Sequence, residues 1–355
     1  MAALIATQLA GSRSERATAY AALGATRDVA LGALCIEPLS AVLGAGEIDA
    51  AEYRAAMGVL AHLAHLDPRQ IGGAWFKDMR FLSATAKGNA VDGILCKPTD
   101  ELTKDDARTL AAMLSAFVAI CSGGMTQIFA AGGCSALEWF GARISQDSAW
   151  NAIVRTQPDE PKLMRLATLV LALLREDRAE LSEAEVAGGW YLFEDFCIGR
   201  PAVCLHAVEA DAIGLAIAEL RTGSPADWAS VTRNPSARFA SAIIAINQIS
   251  TNMNPEHKHL LAATPRLLDV LLDSLKAYEA AGSADDANVP AVFHTIMALY
   301  AVQPALFAFS DVNRLAVRGA ASSIRFAIDH PLDLAKEIGA TTNMISVRWT
   351  AAVSA

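Results

Sequence analysis

The chain is predicted to be all-α, a stack of short helices with no β-sheet, and three observations predict it. Hydrophobic residues make up 53% of the sequence but aromatic ones only 6%. The apolar content is therefore mostly Ala, Leu, Ile and Val, led by the strongest helix former. Helix-start signals recur along the whole length, and no segment alternates β-branched with polar residues as a half-buried strand would.

The helix starts have a physical signature: a side-chain oxygen satisfies backbone N–H groups that the first turn leaves open. Ser12 with Glu15, Thr103 with Asp106 and Ser182 with Glu185 have the spacing of reciprocal capping boxes. Asp67-Pro68, Ser224-Pro225, Asn234-Pro235, Thr264-Pro265 and His330-Pro331 each place a polar residue before a proline at an expected first helical position. Residues 109–137 carry no charge, but Gly123-Gly124 and Gly132-Gly133 break the stretch. It reads as three short buried helices, since a membrane span needs about 20 apolar residues in one run. Residues 287–310 are interrupted by His294, Gln303 and Pro304. No membrane insertion is expected.

A chain of 355 residues exceeds one conventional core, so it should form several domains or one elongated array. The array is favoured by a recurring small residue followed by bulky apolar ones. It starts at Ala22, Ala61, Ala116, Ala172, Ala207, Ala245, Ala298 and Ala351. Recurrence at this period is the mark of stacked helical units that bury apolar faces only against their neighbours. The expectation is a single array over 1–355, with about seven irregular repeats, clearest in 105–300.

One unit shows its parts. "ADAIGLAIAEL" gives a helix, "SPADWASV" a short one after a Gly-Ser-Pro break, and "PSARFASAIIAINQIS" a longer third. This order resembles the armadillo repeat, and HEAT units share the same Ala/Leu pattern; "AAGGCSALEWFGARI" and "AATPRLLDVLLDSL" resemble the second helix of such a unit. The resemblance implies a right-handed α-solenoid whose third helices line a concave groove for a partner protein. In armadillo proteins that hold extended peptides, asparagines on successive third helices grip the partner's backbone. Here only Asn247 fits that role, the corresponding positions being Leu63, Val118, Leu174 and Tyr300. One rung cannot hold a long peptide, so a groove for a helix or a folded domain is expected. Asn247, Arg238, Tyr300 and His62 are the groove candidates.

Charge narrows the partner. A net charge of -9 with no run of Lys and Arg disfavours nucleic acid and suits a basic protein. The acidic run "REDRAELSEAE" supplies a candidate rim in Glu176, Asp177, Glu180 and Glu183, although such runs also serve as solvated faces.

Chemistry is sparse. The six cysteines, Cys35, Cys96, Cys121, Cys134, Cys197 and Cys204, form no CxxC pair and read as small buried residues in a reducing compartment. Cys197, Cys204, His206 and Glu209 are the one cluster that a metal protein or enzyme could be built on. The packed alternative has Cys204 and Ala207 facing inward while Glu209 and Asp211 lead into the next helix. His257 and His259 stand two apart at a turn capped by Asn254, and His62 with His65 should pack inside a helix. The glycine pairs of "AGGC" and "AGGW" suit tight turns or close helix packing, since no phosphate-loop Lys or Ser/Thr follows them. No nucleophile elbow, HExxH or dinucleotide fingerprint occurs, and the expectation is a scaffold without catalysis or cofactor. The N-terminus lacks the basic residues of a secretory leader, so cytoplasm or nucleus is expected. The final "RWTAAVSA" stops where a third helix should be ending without an evident polar cap, so that end is expected to be covered by a partner in a larger assembly, by self-association or by further sequence.

Overall fold

The computed structural model of the chain describes residues 1–44, 48–66, 93–94, 96–116, 159–197, 199–221, 238–280 and 289–303. These residues are predominantly helical, and no strand occurs among them. The chain divides into two compact units, Met1–Leu192 and Phe193–Ala355. No helix among the described residues is long and apolar enough to cross a membrane.

In the first unit, α1 (Ala2–Leu9), α2 (Arg13–Ala25), α3 (Val29–Gly44) and α4 (Ala50–Leu66) follow one another. Each begins for a local reason or is carried by packing. Ser12 and Glu15 complete the capping box of α2, with Ser12 N–H donating to Glu15 Oε2 at 2.7 Å and Glu15 N–H to Ser12 Oγ at 3.4 Å. Asp28 Oδ1 accepts from Leu31 N–H at 3.1 Å at the start of α3. Asp49 Oδ1 accepts from Glu52 N–H at 2.9 Å at the start of α4. Helix α2 buries Ala19, Tyr20 and Leu23, one stripe at helical spacing. That stripe packs on α4, while α1 packs on α2 and α3, and α3 on α4. Each fully buried leucine, such as Leu23, Leu39 or Leu60, contributes about 1.5–3 kcal/mol.

The rest of the first unit contains α5 (residues 104–116), α6 (Glu160–Glu176) and the opening part of α7 (Glu183–Cys197). Helix α5 carries the expected box: Thr103 N–H donates to Asp106 Oδ2 at 2.9 Å, and Asp106 N–H to Thr103 Oγ1 at 3.3 Å. Helix α7 carries the third box, between Ser182 and Glu185. The glycine pair of "AGGW" lies inside α7, not at a turn. A Cβ on Gly188 would stand 1.8 Å from the carbonyl oxygen of Ala111, and one on Gly189 would stand 3.2 Å from Leu174 Cδ2. Gly188 therefore allows the backbones of α5 and α7 to touch.

In the second unit, the end of α7 is followed by α8 (Pro201–Glu209), α9 (Ala212–Arg221), α10 (Arg238–Asn252), α11 (Lys258–Ala262), α12 (Leu267–Ala280) and α13 (Val289–Val302). Helix α10 is its centre, packing on α8, α9 and α13, while α12 packs on α9 and α13. Phe193 and Phe196 meet edge to face with ring centroids 6.5 Å apart.

Three expectations need correction. Thr264 does not cap the next helix: its Oγ1 donates back to Leu260 O at 2.9 Å, and Arg266 in the left-handed region (φ 65°) delays the start of α12 to Leu267. Asn254 precedes a single 3-10 turn, Pro255–His257, without a side-chain cap bond. Cys96 is exposed, beside the turn at Lys97-Pro98, whereas Cys35, Cys197 and Cys204 are buried. The proline-led starts at Asp67-Pro68, Ser224-Pro225, Asn234-Pro235 and His330-Pro331, the "AGGC" pair, Cys121, Cys134 and the C-terminal "RWTAAVSA" lie outside the described residues.

Candidate functional site

Among the described residues, the most organised polar feature runs along the helix starts of the first unit. Arg16 of α2 places Nε and Nη2 on the two carboxylate oxygens of Glu52 in the first turn of α4, the Nη2 contact at 3.0 Å. Tyr20 OH adds a third donor to Glu52 at 3.2 Å. Arg54 of α4 then reaches α5, where its Nη1 meets Asp105 Oδ2 at 2.9 Å and Thr109 Oγ1 at 3.1 Å. Arg108 of α5 in turn reaches α7, with Nε on Glu185 Oε1 at 2.6 Å and Nη2 on Glu180 O at 3.0 Å. An arginine near the start of α2, α4 and α5 thus grips the start of a later helix, and the starts of α2, α4, α5 and α7 are linked in chain order.

The electrostatics follow from this geometry. Arg16 holds the Glu52 carboxyl below the usual carboxylate range, and the same bond raises the Arg16 guanidinium. Burial pushes Glu185 up, but the bonds from Arg108 and Ser182 outweigh it and leave the carboxyl lowered. Asp106 shows the same balance, with burial opposed by Lys97 and Thr103. A lowered carboxyl contributes stability above its ordinary value, and that contribution is lost as pH falls through the folded value. Glu185→Gln is therefore expected to cost about 2 kcal/mol at neutral pH, as for a charged hydrogen bond. The gap to the parent should close on acidification below the unperturbed carboxyl range, measured by urea denaturation across pH.

The acidic rim is met partly from within. Lys104 Nζ lies 3.0 Å from Glu176 Oε2 and 2.8 Å from Asp177 Oδ2. The bonds to Asp177, then Glu176, raise the lysine above its ordinary value. Glu180 is exposed, and the side chain of Glu183 lies outside the described residues. The charge this edge offers a partner is smaller than the run of acids suggests.

The groove candidates do not share one environment. Asn247 is 4% exposed within α10, so a hand on a partner's backbone would need that side chain uncovered. His62 is half-buried, with Nε2 on Thr26 O at 2.9 Å at the C-terminal end of α2, a packed histidine with a backbone partner. Tyr300 is half-buried on α13, and the side chains of Arg238 and His65 lie outside the described residues. The asparagine at the end of α10 that does hold a backbone amide is Asn252. Its Oδ1 accepts from Gly199 N–H at 3.0 Å, and its Nδ2 donates to Gln248 O at 2.9 Å. Gly199 has φ 65°, so the turn between α7 and α8 is pinned at the residue whose left-handed backbone suits glycine.

Cys197 and Cys204 meet across that turn, the Cys204 thiol donating to the Cys197 carbonyl at 3.5 Å. Cys204 and Ala207 are both fully buried, His206 is half-buried and Glu209 is exposed at the end of α8. Among the described residues no three His, Cys, Asp or Glu side chains gather as a metal site requires. His259 Nδ1 contacts Glu256 O at 2.7 Å, a bond local to its turn.

Residue-by-residue reading of motifs missed Arg16, Arg54, Lys104 and Arg108. A signal was present: "DAAEYR" at 49–54 and "TKDDAR" at 103–108 share a capping residue, an acid three positions on and an arginine two further. No family model matches the chain, and no curated protein or solved structure matches it.

Proposed function

We propose that the chain is a non-catalytic binding scaffold, a right-handed α-solenoid of armadillo- or HEAT-like units that holds a partner protein or partner helix along a concave face. The observation that supports this reading best is the succession of arginine grips from α2 to α4, α4 to α5 and α5 to α7. Fastening each layer to its neighbour in chain order is what a stacked array needs, because no unit of such an array buries its apolar face alone. An enzyme requires a convergent set of titratable groups aimed at one reacting atom. Among the described residues, Arg16, Arg54, Arg108, Lys97 and Lys104 and the carboxylates they hold are instead directed at one another.

A protein partner with a basic surface fits the net charge of -9, with the rim at Glu176, Asp177, Glu180 and Glu183 steering the encounter more than setting the affinity. Affinity purification from the native source followed by mass spectrometry is the test. One dominant protein should co-purify at fixed stoichiometry and re-form the complex from purified components without turnover. Recovery of the chain alone at native concentration, or consumption of a co-purified small molecule, sinks the reading. Glu180→Lys with Glu183→Lys should slow association at low salt without unfolding the chain, as stopped-flow mixing would show.

A further inference from the structure

The three arginine grips of the first unit are unequal, and their difference carries a mechanical consequence. At the α2–α4 junction, Arg16 engages both oxygens of Glu52 through two nitrogens, and the Glu52 side chain is 5% exposed. At the α5–α7 junction, Arg108 likewise uses Nε and Nη2 on a Glu185 carboxylate that is 13% exposed, with Ser182 bonded to the same carboxylate. Two-nitrogen grips on a shielded carboxylate are the strong kind and are little screened by salt.

The α4–α5 junction differs. A single nitrogen, Arg54 Nη1, serves the Asp105 carboxylate, the Asp105 carbonyl at 3.4 Å and Thr109 Oγ1. The Asp105 side chain is 67% exposed. Arg54 itself is 16% exposed and Thr109 is buried, but the Asp105 carboxylate faces water, and a one-nitrogen pair with so exposed a partner is weak and loses strength as salt rises.

We propose that the α4–α5 junction is the articulation of the first unit, a salt-sensitive hinge between two firmly clasped sets of helices, α2 with α4 and α5 with α7. Opening there parts α4 from α5 and leaves the grips on either side closed. The inference rests on the contrast between junctions and stands whether or not the chain is a scaffold.

Hydrogen exchange with mass spectrometry on the full-length chain tests it, because a short helix that loses its packing neighbour is marginal in water and exchanges. Raising salt from about 0.01 M to about 1 M shortens the screening length from about 30 Å to about 3 Å. Exchange in peptides from α4 and α5 should then rise by roughly two- to five-fold, the scale of a surface ion pair. Peptides from α2 and α7 should stay within experimental error. Arg54→Met at low salt should reproduce the rise and abolish the salt response. Asp105→Asn removes only the exposed carboxylate and leaves Arg54 on Thr109, so it gives the same readout if Arg54→Met fails to fold. A salt response equal at all three junctions, or none at α4 and α5, overturns the hinge.

Discussion

Replacing Gly188 by alanine is expected to destabilise the first unit by about 3 kcal/mol, at the upper end of what overpacking costs. The new Cβ would stand 1.8 Å from the Ala111 carbonyl oxygen and 2.6 Å from the Ala111 carbonyl carbon. Those atoms are backbone, so no rotamer change removes the collision, and α5 and α7 must move apart. Gly189→Ala is the internal control. Its Cβ meets only Leu174 side-chain atoms, the nearest at 3.2 Å, and a flexible leucine can yield by a few tenths of an ångström. The gain in helix propensity from Gly to Ala, about 1 kcal/mol, should offset that adjustment and leave Gly189→Ala near neutral. Urea denaturation followed by circular dichroism separates the two. Equal effects at both positions would mean that α5 and α7 do not touch at Gly188.

Arg16→Met should cost a similar amount for the opposite reason, a charge left behind instead of an atom added. Glu52 is shielded from water and would keep only the Tyr20 hydroxyl as its long-range donor. Breaking a shielded ion pair by removing one partner costs about 3–5 kcal/mol, whereas replacing both partners with apolar residues is often near neutral. The double variant Arg16→Met with Glu52→Leu should therefore recover most of the loss. The pH dependence gives a second signature. In the parent, the lowered Glu52 carboxyl contributes stability above its ordinary value of 4.5 and loses it as pH falls. In Arg16→Met the largest cause of lowering is gone, leaving burial opposed only by the Tyr20 bond and the charge of Arg13, so the carboxyl rises relative to the parent and protonation costs the variant less. The stability gap between parent and variant should shrink on going from pH 7 to about pH 4. A gap that stays constant would mean that Glu52 is not the group affected.

These two sites show which parts of the structure could be seen in the sequence. The capping boxes at Ser12, Thr103 and Ser182 were legible because cap and partner lie three residues apart, and local spacing fixes their geometry. Long-range pairs were not legible. Nothing near Arg16 says that its partner is Glu52, 36 residues on, and Arg108 finds Glu185 77 residues on. The glycine pair at 188–189 was recognised as a packing or turn feature, but a sequence does not say which backbone comes near. Thr264-Pro265 misled because a hydroxyl before a proline can bond backwards as well as forwards, and here it bonds to Leu260. Asn247 stood out by motif, while the asparagine that grips a backbone amide is Asn252, five positions later on the same helix.

The direction of the arginine grips bears on how the chain folds as it is made. Every grip points forward: the arginine is synthesised first, and its acceptor follows 36, 51 or 77 residues later. At about 5–20 residues per second, Arg16 waits a few seconds for Glu52, and Arg108 waits longest for Glu185. On emerging, α2, α4 and α5 therefore each present a positive group to the nascent chain behind them, and the starts of α4, α5 and α7 close on those groups as they arrive. Assembly from the ribosome outward would then proceed as a succession of closures. The last of them, on Glu185, completes the first unit just before its final residue, Leu192, emerges.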